Sequence, residues 1–435
     1  MRGARLLSAL VMLEMLVILV TGSQASAAAS TITLVSVSST GGQGNDFSFE
    51  RPALSPEGRY VAFSSIASNL APGDANGESD VFLRDTLAGT TEIVSVSPVG
   101  ESGNGRSVLP DISADGRFVV FESSASNLVL GDLNGVTDVF VRDRQTGVTS
   151  LASVSTTGEL GNGASEHAVV SADGRYVAFS SQATNLVEGD TNAASDIFVH
   201  DLSAGTTTMV SVSSSGTQSN SYSAWPSLSA SGDKVAFESG ATNLDPLDPN
   251  GLGDVYVHDR TSGITSVVSV SSASELSNGP SFHAALSGDG NAVAFISTGS
   301  NLVPGDTNGV QDVFARDLVA GMTERVSVTS NGKQGTDYSE VPDISGDGRF
   351  VVFHTASVLT RKDGNQVPDV FLRDRLRGTT LRISSAPNGK DPNGGSTNPA
   401  VNGLGTQVSF ESVASNLVPN DVNNAGDIFL YRSGS

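Results

Sequence analysis

The chain has 435 residues, no cysteine, and 46 acidic against 24 basic residues, for a formal net charge of −22. A field of that sign repels nucleic acid and anionic lipid headgroups and attracts cations, and without thiols no disulfide can contribute to stability. Forty-eight glycines, 6% aromatic and 16% charged residues suit many short strands joined by tight turns better than helices.

The chain opens with Arg2 and Arg5, an apolar run from Leu6 to Val20 and the small residues Ala25-Ser26-Ala27, the layout of a cleaved export signal. A spanning helix needs ~20 apolar residues, and this run is shorter and contains Glu14, so a retained anchor is the weaker alternative. Residues 1–27 are therefore expected to be a signal peptide. The mature domain, 28–435, is expected to work outside the cytoplasm, secreted or periplasmic, as a monomer with no membrane insertion and no nucleic-acid partner.

After the leader one spacing, Asp-x-Asn-x-x-x-Asp, recurs seven times: Asp74/Asn76/Asp80, Asp132/Asn134/Asp138, Asp190/Asn192/Asp196, Asp248/Asn250/Asp254, Asp306/Asn308/Asp312, Asp363/Asn365/Asp369 and Asp421/Asn423/Asp427. Successive copies begin 57 or 58 residues apart, and a fixed period of this size marks a stacked or ringed repeat architecture. In the second repeat, Ser107–Ser113 is an expected strand and Asp115-Gly116 a tight hairpin turn. Arg117–Glu122 is an apolar run of strand length. A long loop carries the acidic motif, Val139–Arg142 is a third strand and Ser150–Ser155 a fourth. Four antiparallel strands per unit describe a propeller blade, and seven units lie within the usual range of blade numbers.

The last repeat stops after Ile428-Phe429-Leu430-Tyr431 without its fourth strand, whereas Thr31–Ser38 matches the fourth strands of the other repeats and has no blade of its own. The N-terminal strand is thus expected to complete the last blade, closing the ring and removing exposed sheet edges. The fold expected is an all-β, seven-bladed β-propeller of four-stranded antiparallel blades.

Ser113-Ala114-Asp115-Gly116-Arg117-Phe118-Val119-Val120-Phe121, followed by Asp138-Val139-Phe140-Val141-Arg142-Asp143, resembles the WD-repeat-like propeller unit of the TolB type. The resemblance covers about residues 31–432. It implies a seven-bladed ring of the kind found in periplasmic TolB and in the propeller domains of some peptidases. The regular acidic motif departs from that pattern, and no counterpart of TolB's additional N-terminal domain or of a peptidase domain is found in the chain.

In the loops, Asp and Asn two residues apart and a further Asp can gather side-chain oxygens around a hard cation. Calcium takes six to eight oxygens and suits a set without thiolate or imidazole. Six loops are candidate calcium sites; Arg361, Lys362 and Pro368 make the sixth, at Asp363, the weakest. The alternative is turn chemistry alone, since Asp and Asn favour turns through hydrogen bonds to their own backbone. Ser/Thr-Asn-Leu triplets such as Asn127-Leu128, and Arg/His-Asp pairs such as Arg142-Asp143, read as scaffold.

Positions that differ between repeats carry the recognition signal. At the entrance to the first strand, nearest the central channel, the series runs Arg51, Leu109, His167, Trp225, His283, Val341 and Asn398. This ring and the acidic loops are expected on one face. Arg51, His167, Trp225 with Tyr222, and Phe282 with His283 are candidate ligand-binding residues, with inter-blade packing as the alternative. There is no nucleophile elbow, no paired histidine at metal spacing and no phosphate-binding glycine fingerprint. The expected function is an exported, non-enzymatic protein that binds a protein or glycan partner. The alternative is a polysaccharide lyase or hydrolase using the central channel, where His167 and His283 could approach each other.

Overall fold

The computed structural model describes residues 29–434; the expected export signal lies outside them. Seven four-stranded antiparallel sheets follow one another around an axis. Blade one comprises Ser48–Leu54, Tyr60–Ser65, Asp80–Asp85 and Thr90–Ile93. Blades two to six repeat this order, and first strands touch first strands in sequence until blade seven meets blade one. Among the described residues no helix is long and apolar enough to cross a membrane.

Each second strand is a short apolar run because both its faces are covered. Val119, Val120 and Phe121 of blade two are fully buried, as are Val61, Ala62 and Phe63 of blade one. Each blade also stacks an aromatic ring of its second strand on one of its third, such as Phe121 on Phe140 at 5.8 Å and Phe237 on Tyr256 at 5.8 Å. These pairs belong to clusters that cross from one blade to the next. Phe121 and Phe140 of blade two share a cluster with Val81 and Leu83 of blade one. The core is therefore a continuous annulus between sheets.

Closure follows the sequence expectation. Thr31–Leu34 pairs antiparallel with Asp427–Arg432, with Thr31 opposite Arg432 and Leu34 opposite Phe429, and supplies the fourth strand of blade seven. The fourth strands end earlier than expected: in blade two the strand is Val148–Leu151, not Ser150–Ser155. Ala152 still donates to the Val139 carbonyl, but the Ser153 hydroxyl then accepts the Val139 N–H. A side chain thus replaces the ladder and lets the backbone turn away.

At the hairpin end of the axis, the second residue of the first turn is alanine or glycine in six blades and Pro56 in blade one. Ala114 donates to the Ala172 carbonyl, Ala172 to Ala230, Ala230 to Gly288, Gly346 to Gly403 and Gly403 to Pro56, all at 2.8–2.9 Å. A Cβ on Gly346 would stand 3.1 Å from the Gly403 carbonyl oxygen, so this belt of backbone hydrogen bonds tolerates little bulk. On the same face, Arg59 grips Asp85 with both Nε and Nη2, and Arg117 and Arg175 do the same to Asp143 and Asp201. The expected scaffold role of the strand-ending Asp is met.

Removing Thr31–Leu34 would bare the edge of Asp427–Arg432 and the partly covered apolar surface of blade seven. Such a truncated protein is expected to lose several degrees in Tm and to aggregate in light scattering; an unchanged melt would mean that the latch does not hold the ring.

Candidate functional site at the loop-bearing face

The acidic motif forms the loop between second and third strands, and each loop meets the chain entering the next blade. Asn76 shows how. Its Oδ1 accepts the Glu78 N–H, while its Nδ2 donates to Asp80 Oδ2 at 2.7 Å and to the Gly103 carbonyl of the following blade at 2.8 Å. Asn134, Asn192, Asn250 and Asn308 repeat all three contacts. Asn365 and Asn423 likewise reach the next blade, at Pro392 and Gly44. Left-handed backbone follows the Asn, carried by Gly77, Gly135, Gly251 and Gly309 and elsewhere by Ala193, Gln366 and Asn424.

The third residue of the motif is a buried pin. Asp80, Asp138, Asp196, Asp254, Asp312, Asp369 and Asp427 are fully buried, and each accepts a serine hydroxyl just beyond the fourth strand: Ser95, Ser153, Ser211, Ser269, Ser327, Ser384 and Ser36. Burial pushes up the carboxyls of Asp80, to about 6, and Asp254, to about 7, and raises those of Asp138, Asp196, Asp369 and Asp427. The asparagines expected as ligands are therefore committed to backbone and carboxylate, and each third Asp keeps only part of one oxygen for anything else.

The first Asp distinguishes the blades. In blade five, Arg325 Nη1 lies 2.9 Å from Asp306 and 3.3 Å from Asp312. In blade six, Arg382 Nη1 lies 3.5 Å from Asp363, 3.2 Å from Asp369 and 2.7 Å from Asp391. An amide does the same elsewhere: Gln218 Nε2 donates to Asp190 and Asp196, and Gln43 Nε2 to Asp421 and Asp427. In blade four the Tyr256 hydroxyl donates to Asp248. In blades one and two the equivalent positions are Ile93 and Ser102, and Leu151 and Leu160. No side-chain donor among the described residues reaches Asp74 or Asp132, and burial raises the carboxyls of both. No group of three His, Cys, Asp or Glu among the described residues is arranged to hold a metal ion, so a cation here would rest on two carboxylates plus backbone and water. That donor set fits calcium in blades one and two. In the others a protein group already sits against the first Asp.

Nearer the axis, each first strand carries a bulge, and the residue at it is left-handed: Leu109, His167, Trp225, His283, Val341 and Asn398, with φ of 47–57°. In blade one the strand has seven residues and Glu50, not Arg51, takes this conformation. Non-glycine residues held there store strain that the surroundings must over-determine. Buried glutamates supply part of the constraint, a feature the sequence reading missed although Phe-Glu-Ser interrupts an apolar run at Glu122, Glu238 and Glu411. Glu122 accepts the His167 N–H at 2.8 Å, Glu238 that of His283 at 2.9 Å and Glu411 that of Glu50 at 3.1 Å. Burial, with Glu166 and Glu50 nearby, pushes Glu122 up to about 7.

His167, Trp225 and His283 come together on neighbouring blades. His167 stacks on the indole with ring centroids 3.7 Å apart, and His283 meets the indole at 5.0 Å edge-on. The two histidines do not meet across the channel, because Trp225 stands between them. Burial lowers both imidazoles, His167 to about 4, so both are neutral at physiological pH. Arg51 reaches to Asp343 at 2.8 Å within a central cavity of about 350 Å³ that is also lined by Asp111, His167 and Trp225. Tyr222 and Phe282 form a separate group beside Gly253, where an added Cβ would lie 2.8 Å from the Phe282 ring and 3.2 Å from the Tyr222 hydroxyl.

No family model matches the chain, and no curated protein matches it significantly. Among solved structures it is similar to an oligogalacturonate lyase in complex with manganese, at 12% identity over 94% of this chain and 97% of that one, with a TM-score of 0.54. It is also similar to the β-propeller domain of the trilobed protease from Pyrococcus furiosus, at 11% identity over 84% and 89%, with a TM-score of 0.52. That propeller is described as having an open velcro topology, whereas the ring here is latched. TolB from Acinetobacter baumannii matches at 16% identity over 81% of this chain and 66% of that one, with a TM-score of 0.42. What the lyase and the protease propeller share with the chain is the propeller fold.

The buried acids fix the sign of the pH dependence. Glu122 and Asp254 titrate near 7, and Asp80, Asp111 and Asp363 near 6. Between the ordinary carboxylate range and these values the folded protein holds protons that the unfolded chain has released, so stability falls as pH rises. The lowered histidines act oppositely, but only below ~6.5. Asp85 and Asp201, held near 2 by Arg59 and Arg175, contribute stability that is lost as pH falls below the usual carboxylate range. In chelator, Tm is expected to decline from pH 6.5 to pH 8, and Glu122→Gln to flatten that slope. A flat or rising Tm in the native protein would contradict the assignment.

Proposed function

We propose that this chain is an exported, non-enzymatic propeller that binds a protein or glycan partner through the channel mouth on its loop-bearing face. The observation that supports this reading is the His167–Trp225–His283 stack, built on strained backbone, with the N–H groups of its two histidines held by buried Glu122 and Glu238. Side chains ordered in advance lose little freedom on binding, and an indole offers both an apolar face and a donor. Arg51 and Asp343 add polar groups within the same cavity, while Tyr222 and Phe282 offer a second, separate aromatic group beside Gly253. Export is inferred from the arginine-flanked apolar leader.

Trp225 is the single tryptophan, so its emission reports directly on the mouth. Titration with panels of oligosaccharides and peptides is expected to shift or quench that emission for the cognate class. Trp225→Ala should weaken binding by about 2 kcal/mol or more, ~30-fold, as for a central anchor. Full affinity in the variant would refute the site. The second reading, a lyase or hydrolase acting in the channel, is prompted by the fold shared with the lyase; turnover of an added polysaccharide, lost in a His167→Ala/His283→Ala double variant, would replace the binding reading.

Calcium belongs to this proposal in blades one and two, where Asp74 with Asp80 and Asp132 with Asp138 would contribute oxygens and the ion would stiffen the loops. Calorimetry of chelator-treated protein is expected to show calcium binding that Asp74→Asn and Asp132→Asn remove and Asp306→Asn leaves intact. The rise in Tm with calcium should be larger at pH 8 than at pH 5, because Asp80 must give up its proton to bind. Absence of both heat and thermal shift would dispose of the ion.

A further inference from the structure

Six of the seven seams between blades carry the same stitch. A threonine of the fourth strand donates its hydroxyl to a carbonyl at the end of the preceding blade: Thr91 to Val37, Thr149 to Val96, Thr207 to Val154, Thr265 to Val212, Thr323 to Val270 and Thr380 to Val328. An Arg or His of the adjoining third strand pairs with that threonine, as Arg84 does with Thr91 and His200 with Thr207. In the seam between blades six and seven the threonine position falls on the latch and is Ile32, opposite Tyr431. Isoleucine has no hydroxyl to donate, so the fourth strand of this blade does not make the stitch.

Two further departures fall on this seam. The Pro-Gly that precedes the first Asp of the motif in blades one and five, Pro72-Gly73 and Pro304-Gly305, is replaced in blade six by Arg361-Lys362. The turn leaving blade six closes between Ala386 and Lys390, whereas its counterpart in blade five spans Val328 to Gln334. Together these changes leave a groove of about 640 Å³ whose lining includes Ile32, Leu381, Ile383 and Leu417, with Arg361 and Lys362 at its rim. Arg361, Lys362 and the neighbouring Lys390 are exposed, and none has a carboxylate partner among the described residues. On a chain of net charge −22 this is a local reversal of sign, and surface charges act over roughly 8 Å at physiological salt.

From this we propose that the groove between blades six and seven binds an acidic, aliphatic peptide segment of a partner protein. The floor is aliphatic and takes Leu- or Ile-sized side chains, and the cations at the rim take flanking carboxylates. A groove of this volume is in the range that encloses a small ligand, ~300–1,000 Å³. A glycan is disfavoured because the floor presents no free aromatic face, Tyr431 being buried. The chain's own leader, with Arg2 and Arg5, carries the wrong sign.

The test uses labelled eight-residue peptides alternating Glu or Asp with Leu or Ile, their Gln/Asn counterparts, and polygalacturonate as competitor, read by fluorescence anisotropy. Two variants restore features of the sister blades and so preserve folding: Arg361→Pro/Lys362→Gly recreates the Pro-Gly, and Ile32→Thr reinstates the hydroxyl of the stitch. The acidic peptides are expected to bind, to lose about tenfold or more in affinity in each variant, and to weaken with added salt as rim charges do. Their neutral counterparts should bind no better than to the variants. No binding by any acidic peptide, equal affinity in the native protein and Arg361→Pro/Lys362→Gly, or displacement of bound peptide by polygalacturonate at lower concentration than by the unlabelled peptide itself, would each overturn the proposal. Unchanged Trp225 emission during peptide binding separates this groove from the channel mouth.

Discussion

The ring depends on the burial of one carboxylate per blade. Asp80 and its six counterparts are removed from water entirely, which is costly for a carboxylate unless hydrogen bonds replace those lost. One oxygen takes the serine hydroxyl where the fourth strand ends, and in blades one to five the other takes the asparagine amide of the loop. That amide also donates to the backbone of the next blade. A single buried group therefore fixes where a strand stops, how a loop folds and where the neighbouring blade begins. In blade seven the same carboxylate, Asp427, binds Ser36 and Gln43 from the other end of the chain. Pin and latch are there one structure.

Because the framework is repeated, chemistry is free to differ between blades. The gap beside the first Asp is filled by guanidinium in two blades, by an amide in two and by a phenol in one, and in two no side-chain donor enters it. A guanidinium, an amide and a phenol answer the same electrostatic demand in different ways, and beside Asp74 and Asp132 no side-chain donor among the described residues answers it. The left-handed ring follows the same logic. One backbone device carries leucine, histidine, tryptophan, valine or asparagine, so recognition varies while geometry stays fixed.

Blade number, strand order and the shared last blade were legible in the sequence, since each follows from a repeat period and from matching one end of the chain to the other. The loop-packing leucines were legible too: Leu70 and Leu128 are buried as the triplet pattern requires. What the sequence concealed was partnership. The Asp-x-Asn spacing looks like a ligand set because liganding and capping use the same oxygens; only the position of Ser95 and Gly103, on segments that folding brings alongside, shows that the asparagine faces backbone. Glu122 and His167 are joined across a blade boundary, and Arg51 meets Asp343 across the channel. Neither pairing leaves a local signature. The extra residue in the first strand of blade one, which moves the bulge to Glu50, is likewise invisible to a motif that counts from the hairpin turn.

The seam between blades six and seven departs from its sisters for a reason rooted in closure. At every other junction the two faces lie in adjoining repeats of one length, and threonine, arginine or histidine, and carbonyl recur together. At this junction the outer strand comes from the start of the chain, so its sequence answers to the pairing with Asp427–Arg432 rather than to the repeat. Ile32 opposite Tyr431 makes that pairing apolar, which favours the latch strand over water but forgoes the hydroxyl needed to draw the sixth blade inward. The same substitution that secures the ring leaves its last seam open on the outside. An opening of this origin costs the fold little to retain, and the cations beside it replace a Pro-Gly turn that other loops use without difficulty.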